Sequence, residues 1–521
     1  MRGSDVGHAS TDTDVVVAGA GPTGLMLACE LRLAGVEVMV VEQLAERTGE
    51  SRAGGMHSRT LEVLDQRGVL DRFLAAGHLT PVGHFSGLWL DFDDFESRHP
   101  LPLMILQSTI ERLLEEWAAE LGVRVRWSSE VSGVRQDEAG VAVELRTTKA
   151  APATLRARYL VGCDGGRSTV RRLSGIDFPG TPATMTALLG DVVLPGLPEE
   201  FIFMRRCPGG HFSALSLEPG WHRVITSEYD RVAGRDDSVT FEQLRESLIR
   251  LAGTDYGMHS PRWVSRFSDT ARQAAKYRDG RVLLAGDAAH IHFPAGGQGL
   301  NIGVQDAVNL GWKLASVVRG QAPESLLDSY HAERHPVGER LLHNTRAQSA
   351  LARPGADMDA LREVFGSVMA FDDVNRYLRG MITALDIRYP VDGDHPLGDA
   401  GSPTPTSRRP TVPPASTNCC TPPAPFCSTC AAAPRWRRPP GTGPTASTSS
   451  RHGARTTTGP PRSWARSPLP PRSSSAPTAT SPGPPPPARP TPPPSGPPSP
   501  RGSARPCLGE APPETGGSPL S

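Results

Sequence analysis

Three glycines, Gly19, Gly21 and Gly24, stand in the spacing G-x-G-x-x-G within Gly19-Ala20-Gly21-Pro22-Thr23-Gly24, and an acid, Glu42, follows at the end of the next apolar run. Residues of these types at this spacing can bind a pyrophosphate and a ribose. Gly19 permits a tight turn, Gly21 lets a phosphate approach the backbone, and Gly24 lets a helix and a strand pack closely. Glu42 can accept hydrogen bonds from ribose hydroxyls. A second glycine-rich run, Gly296-Gly297-Gln298-Gly299-Leu300-Asn301, follows Pro294 and can bring backbone N–H groups against a flat ligand.

Those residues need particular elements to position them. Asp14-Val15-Val16-Val17-Ala18 is a β-branched run suited to a buried parallel strand. The stretch LMLACELRLAG after the glycines reads as a helix ending at Gly35, and Val36 to Val41 as the next strand, closed by Glu42. The helix N-terminus offers unpaired N–H groups and a positive dipole end to an anion. This βαβ unit implies a dinucleotide but does not by itself choose between FAD and NAD.

Two later segments repeat the pattern of a strand running into a turn: Tyr159 to Ser168, with Asp164-Gly165-Gly166, and Arg281 to His290, with Gly286-Asp287. With all three motifs in this order, the chain resembles the class A flavoprotein monooxygenases over about residues 12 to 397. It is most similar to aromatic polyketide hydroxylases of antibiotic pathways, with rifampicin-type monooxygenases close behind. The resemblance selects FAD and implies further contacts. Gly19, Gly21, Pro22, Thr23, Gly24 and Glu42 match the adenosine end of the cofactor site. Arg52 and Gln107 match polar contacts to it. Asp164 and Gly165 match a motif tied to both FAD and NAD(P)H, and Asp287 an acid that holds ribityl or ribose hydroxyls. Pro294, Gly297, Gly299, Leu300 and Asn301 match the segment beside the flavin ring. A helix beginning near Leu300 would aim its positive end at the ring edge that becomes negative on reduction.

The implied architecture is α/β (α+β overall), a Rossmann-like FAD-binding domain with an inserted β-sheet substrate domain. Residues 1–76, 106–174 and 276–345 build the first; residues 77–105 and 175–275 build the second, with candidate strands at Thr186–Val193 and His222–Thr226. Residues 346–397 read as a bracing helical segment. The implied chemistry is hydroxylation of an aromatic polyketide-type substrate by O2 through a flavin C4a-hydroperoxide, with NADPH, or NADH, as co-substrate. No catalytic side chain is required, and none stands out. Two other readings remain: inactivation of an antibiotic such as a rifamycin by the same chemistry, and an FAD-binding remnant without activity.

Composition bounds the partners. The 521 residues carry 55 basic and 55 acidic side chains, which argues against nucleic acid or an anionic membrane as partner. No apolar run is long enough to span a bilayer, and Met1–Asp14 is too polar for a secretory signal. Before residue 400 the cysteines are Cys29, Cys163 and Cys207, a scatter that fits a reducing compartment and free thiols. The expectation is a soluble, cytoplasmic protein, a monomer or homodimer. His290 and His292 form an H-x-H pair read as packing or hydrogen bonding, not metal. Arg167, Arg171 and Arg172 read equally as a phosphate attractor or a solvated helix face. Trp117, Trp221, Trp263 and Trp312 read as core.

Residues 398–521 differ in kind. Pro, Ser, Thr, Ala, Arg and Gly dominate, and Ile, Met, Tyr, Lys and Gln are absent, so the segment reads as a disordered tail. Cys419, Cys420, Cys427 and Cys430 end in a C-x-x-C pair but lack the well-formed second pair of a zinc site and sit in surroundings that cannot fold. Read one base earlier, the codons of Thr417–Cys430 and Ala476–Pro484 permit amphipathic helix and strand strings. The expectation is a reading-frame shift near Leu397 where the resembled family has a thioredoxin-like domain. An unshifted, error-free gene sequence there would refute the version in which the shift is a sequencing error.

Overall fold

The computed structural model describes residues 11–81, 83–92, 97–147, 151–197, 202–229, 231–234 and 238–389. The tail from residue 398, with its cysteines and the frame-shift expectation, lies outside them.

The β-branched run near the N-terminus forms the strand Thr13–Ala18, at the centre of an eight-stranded sheet. It pairs in parallel with Ala153–Gly162 on one side (Val15 opposite Tyr159) and with Val38–Val41 on the other (Val15 opposite Val38). The parallel order extends to Val282–Leu284 at one end and Arg124–Arg126 at the other. Val15, Val16 and Val17 are fully buried, because helices cover both faces of such a sheet. Two of these helices matter for the site. Pro22–Leu33 opens with Pro at its first turn, and Gly299–Val318 crosses it at close range. Gly303 and Gly311 permit that approach: a methyl group added to them would stand 2.4 Å from Thr23 Oγ1 and 2.6 Å from Glu30 Cβ. The helix Pro22–Leu33 is buried along eight consecutive residues, Gly24 to Leu31. Its buried Glu30 is held by a two-pronged ion pair with Arg67 (2.6 and 3.0 Å).

The second layer is a five-stranded antiparallel sheet in the order Ile202–Cys207, Gly210–Glu218, Trp221–Glu228, Thr186–Val193, His259–Ser268. Strand alternation gives it two distinct faces. Phe212, Ala214, Val224 and Val192 pack with Leu244 and Leu248 of the helix Phe241–Ala252, which begins at a capping box of Thr240 and Gln243. The opposite face carries Leu215, Arg223, Ile225, Asp191, Trp263, Ser265 and Phe267. This face turns toward the first layer, since Arg223 bonds the carbonyls of Arg52 and Ala53, and the Phe267 ring lies 5.3 Å from that of Phe293.

A hairpin of Gly83–Phe85 and Leu88–Leu90 and three helices, Asp328–Ala352, Ala356–Met369 and Asp372–Thr383, form a further group. Phe85, Leu90, Leu351, Leu378 and Ile382 share one apolar cluster there. No helix among the described residues is long and apolar enough to cross a membrane.

Two readings of side chains change. Of the four tryptophans read as core, only Trp117 is buried. Trp221 lies under the Arg262 guanidinium (3.7 Å), Trp263 donates to Asp191 (3.0 Å), and Trp312 is half-buried. Of the three arginines, Arg171 is neither a phosphate attractor nor a solvated face. It is buried against Phe178, its guanidinium 3.6 Å from the ring, and donates to the carbonyls of Ala288 (2.7 Å) and Gly166 (3.0 Å). Arg167 is exposed, and Arg172 bonds its own turn through Ser168 O.

Candidate functional site

The motifs that the sequence separates by well over a hundred residues interlock at the start of the helix Pro22–Leu33. Gly19 has φ +105°, and a methyl group on it would stand 2.4 Å from Cys163 O, so its turn lies directly on the segment leading into Asp164. Cys163 N also donates to Ala18 O (2.8 Å). A methyl on Gly24 would meet Gly19 O at 2.0 Å, which closes the helix onto the turn. Thr23 inserts between Gly286 and Gly303, where added methyl groups would meet its hydroxyl at 2.6 and 2.4 Å. These contacts bring the first glycine turn, the Asp164 turn, the Asp287 turn and the helix Gly299–Val318 to one place.

Gly21 is the exception among these glycines. Its φ is −74°, and a methyl group there would find nothing within 4 Å. It is the N-cap of its helix, and no side chain caps the first turn. Unpaired N–H groups therefore face an open space, the arrangement an anion fills. Gln298, N-cap of the helix Gly299–Val318, also leaves its first turn without a side-chain cap.

The polar residues that the sequence singles out fall into two kinds. Some are held in place by the protein. Glu42 accepts from Ala20 N (2.8 Å) and Leu44 N (3.0 Å), which fixes its carboxylate beside the glycine turn and leaves a lone pair on each oxygen. Gln107, first residue of the helix Gln107–Glu120, accepts from Ala53 N (3.0 Å) and donates to Glu111 (2.9 Å). Asp164 turns inward, accepting from Ser168 Oγ (2.5 Å), Thr169 N (2.7 Å) and Val170 N (3.0 Å), so it caps the helix Thr169–Leu173. Gly165 beside it has φ +77° and open space around its Cα. The others face outward. Asp287 is exposed and makes no hydrogen bond among the described residues. Arg52 is 59% exposed, with Nη2 3.1 Å from Ser265 Oγ and an ion pair to Glu50 at 3.5 Å.

The second glycine run follows Pro294 as a turn with left-handed residues at Gly296 (φ +71°) and Gly297 (φ +64°). Gly299 opens the long helix beside His292, and Leu300 packs against the main core. Asn301 is buried and holds the loop, donating to Gly297 O (3.0 Å) and accepting from His57 N (2.8 Å). His57 returns a bond from Nε2 to Gly296 O (2.9 Å), leaving Nδ1 buried without a partner.

Sequence reading missed several of these supports. Beneath the Asp287 turn, Asp306 accepts from Gly286 N (3.1 Å), His290 Nε2 (2.8 Å) and Arg334 Nε (2.7 Å), all buried. Burial pushes the Asp306 carboxyl up, but Arg334 and then His290 outweigh it and hold the group below its ordinary range. His290 is thus a hydrogen-bonding residue, and His292 likewise bonds Phe293 O through Nδ1 (2.7 Å). No cluster of three His, Cys, Asp or Glu suited to a metal occurs among the described residues. Arg47, which donates to Glu111 and Glu115 and reaches toward Ala20 O, was also unread. No local signal marks Asp306, Arg334 or Arg47, whose partners come from remote parts of the chain.

The same loop gathers histidines that stay neutral. Burial and the nearby His57 push His84 down to about 4. Burial also lowers His57 below its ordinary value. On acidification from pH 6.5 toward 4 the unfolded chain takes up a proton at His84 that the folded chain refuses. Stability is therefore full above about pH 6.5 and falls through that window, by up to about 1.4 kcal/mol per pH unit per group. Melting temperatures at pH 7 and 5 check this: the expected drop shrinks in His84→Asn, and an unchanged drop would remove His84 from the cause.

Comparison with known proteins matches residues 12–345 to the family described as FAD binding domain. A 12-dehydrotetracycline 5-monooxygenase/anhydrotetracycline 6-monooxygenase of Streptomyces rimosus is 50% identical over 396 residues, covering 74% of this chain and 78% of that protein. A rifampicin monooxygenase of Streptomyces venezuelae is 49% identical over 389 residues, covering 74% and 81%. Among solved structures, CabE, an aromatic hydroxylase from angucycline biosynthesis, superposes with a TM-score of 0.70 at 48% identity, covering 74% of this chain and 79% of that one. An open, uncapped helix start at Gly21, a fixed acid at Glu42 and a glycine loop at a helix start all suit the cofactor named in the family's description, and this chain belongs to the FAD binding domain family.

Proposed function

We propose that the protein is an FAD-dependent, NADPH-consuming monooxygenase that hydroxylates an aromatic polyketide. The observation that supports this most is the interlock of Gly19, Thr23 and Gly24 with Cys163, Gly286 and Gly303, which gathers one extended binding surface from three distant motifs. Near half-identity to tetracycline-type and rifampicin monooxygenases supports the class of reaction and substrate.

In this reading the open space at Gly21 takes the pyrophosphate, with Pro22 and Thr23 in the turn around it. Glu42 takes the adenosine ribose and Asp287 the ribityl hydroxyls. Arg52, Pro294, Gly297, Gly299, Leu300 and Asn301 surround the ring, while Gln107, Asp164 and Gly165 shape the turns that hold it. Bound FAD supplies hydride acceptance from NADPH and activation of O2, one atom of which enters the aromatic ring while the other leaves as water. The protein's own task is to bind, orient and keep water out. The first-turn N–H groups of Gly299–Val318 stabilise negative charge at the ring edge. The Arg223–Phe267 face of the five-stranded sheet covers the substrate, with residues 77–105 and 175–275 as the substrate domain. Residues 1–76, 106–174 and 276–345 hold the cofactor, and residues 346–397 brace the assembly. The scatter of free thiols, Cys29, Cys163 and Cys207, supports a reducing cytoplasm, where we expect a monomer or homodimer.

Asp287→Asn separates binding from folding. The side chain has no intramolecular bond to lose, so the melting temperature of the flavin-free protein should stay within about 0.5 kcal/mol of wild type in stability terms. FAD affinity should fall about tenfold, the worth of one charged hydrogen bond. Fluorescence titration with FAD measures it, and undiminished affinity would remove Asp287 from the cofactor site.

The activity is tested by purifying the protein, recording its flavin spectrum, and following NADPH oxidation with a phenolic polyketide and with rifampicin. Polyketide-stimulated oxidation with one oxygen atom added to the product supports the proposal. Product from rifampicin alone transfers the reading to antibiotic inactivation. A yellow protein that neither substrate stimulates would be an FAD-binding remnant, and a folded protein colourless with added FAD would end the flavin reading.

A further inference from the structure

The strongest unexplained feature outside the cofactor turns is a buried ion pair in the middle of the five-stranded sheet. Asp191 and Arg223 are direct cross-strand partners, and Trp263 is the direct partner of Asp191 on its other side. Arg223 grips Asp191 with two prongs, Nε to Oδ1 at 2.8 Å and Nη2 to Oδ2 at 3.0 Å, and Trp263 Nε1 donates to the same Oδ2 at 3.0 Å. Both charged side chains are 3% exposed.

A sheet does not need such a pair for stability. Replacing a buried ion pair by apolar side chains is often neutral or stabilising, and Leu215 and Ile225 already occupy the same face beside it. What an apolar residue could not do is use the remaining prong. Arg223 Nη1 reaches across to the first layer and donates to two successive carbonyls, Arg52 O (3.0 Å) and Ala53 O (3.2 Å). The same peptide is held from behind: Ala53 N donates to Gln107 Oε1 (3.0 Å), and Gln107 N donates to Ala53 O (3.1 Å). The Arg52 side chain itself is mostly exposed, so packing does not fix it. Its direction comes from this clamped backbone, from Ser265 Oγ, another residue of the same sheet face, and from the ion pair with Glu50.

We propose that Arg223 is a positioning residue for Arg52, through which the substrate-covering sheet sets where the Arg52 guanidinium stands at the flavin. The inference rests on the proposed function for the role of Arg52, but the grip on the Arg52–Ala53 peptide stands apart from it. Lysine at 223 keeps the charge facing Asp191 and lacks the planar fork that serves a carboxylate and two carbonyls together.

Two measurements on the full-length chain test it. In the flavin-free protein, hydrogen exchange of the Ala53 amide should quicken about tenfold in Arg223→Lys, while exchange in the central strand at Ile225 stays as in wild type. Faster exchange at both positions, or at neither, would overturn the positioning role. In the holoprotein, Arg223→Lys should weaken FAD about fivefold and alter the visible flavin spectrum, and Arg52→Lys should weaken it about tenfold. The double variant should be no weaker than Arg52→Lys alone, because both changes act through one group. Multiplying effects would show that Arg223 acts elsewhere, and a lowered melting temperature with normal affinity and spectrum would reduce it to a structural residue. If Arg223→Lys does not fold, Asp191→Asn loosens the same fork and should shift the same readouts in the same direction. A wild-type protein that takes up no flavin sinks the proposed function, and the exchange result then decides the grip by itself.

Discussion

Gly21→Val should give a folded, colourless protein. A side chain at this position meets open space within 4 Å, and the extended backbone, φ −74° and ψ −179°, suits a β-branched residue. Losing glycine at the N-cap costs the helix no more than about 1 kcal/mol. The loss of cofactor should be far larger, at least about 100-fold or ~2.7 kcal/mol, because the new side chain fills the space through which a phosphate reaches the first-turn N–H groups. Gly19→Ala and Gly24→Ala form the contrast. Their methyl groups would press on backbone oxygens at 2.4 and 2.0 Å, which no rotamer change relieves. Those variants should lose stability as well as flavin. Circular dichroism melts beside FAD titration separate the two patterns. A Gly21→Val protein with wild-type FAD affinity would mean that no phosphate passes there.

The largest effect on stability should come from Asp306→Ala. Asp306 is the counter-charge of Arg334, and both side chains are at most 1% exposed. Removing one partner of such a pair leaves an uncompensated buried charge and costs about 3–5 kcal/mol. Against a typical total of about 5–15 kcal/mol, that is a large share of the whole stability. It also frees His290 and the N–H of Gly286, so the Asp287 turn loses its anchor. Asp306→Asn keeps an acceptor for Gly286 N and should cost less. The double change Asp306→Leu with Arg334→Met removes both charges and should recover much of the stability, while the unpaired Gly286 N–H leaves FAD binding impaired. Urea unfolding of the four proteins checks this. A double variant no more stable than Asp306→Ala would show that the charge imbalance is not the cause.

The parts legible in the sequence share a physical property: their signal is local. The run Val15 to Ala18 had to be a buried strand because its side chains are apolar on both faces. The glycines at 19, 21 and 24 announced a turn into a helix at fixed offsets. Thr186–Val193 was read at its observed limits for the same reason. Local pattern misled where a side chain's surroundings come from elsewhere. Arg171 looked like a helix-face arginine, yet Ala288 O, more than a hundred residues on, draws it inside. Trp221 and Trp263 looked like core because they are large and apolar, but Trp221 opens the central strand of the second sheet and Trp263 lies on its edge strand, each with a polar or charged partner.

By itself, then, the sequence determined the glycine turn at the helix start, the parallel core strands and the likeness to a flavoprotein family, because strand period, glycine φ and turn chemistry are written within a few residues. Only the tertiary structure decided which of the three turns abut, that Asp164 faces inward and Asp287 outward, and that Asp306 and Arg223 stand behind the residues proposed to touch the cofactor. Those facts depend on which remote atoms fill the space around each side chain. A carboxylate's role follows from whether backbone N–H groups have already claimed its oxygens, and that is settled only when the layers close.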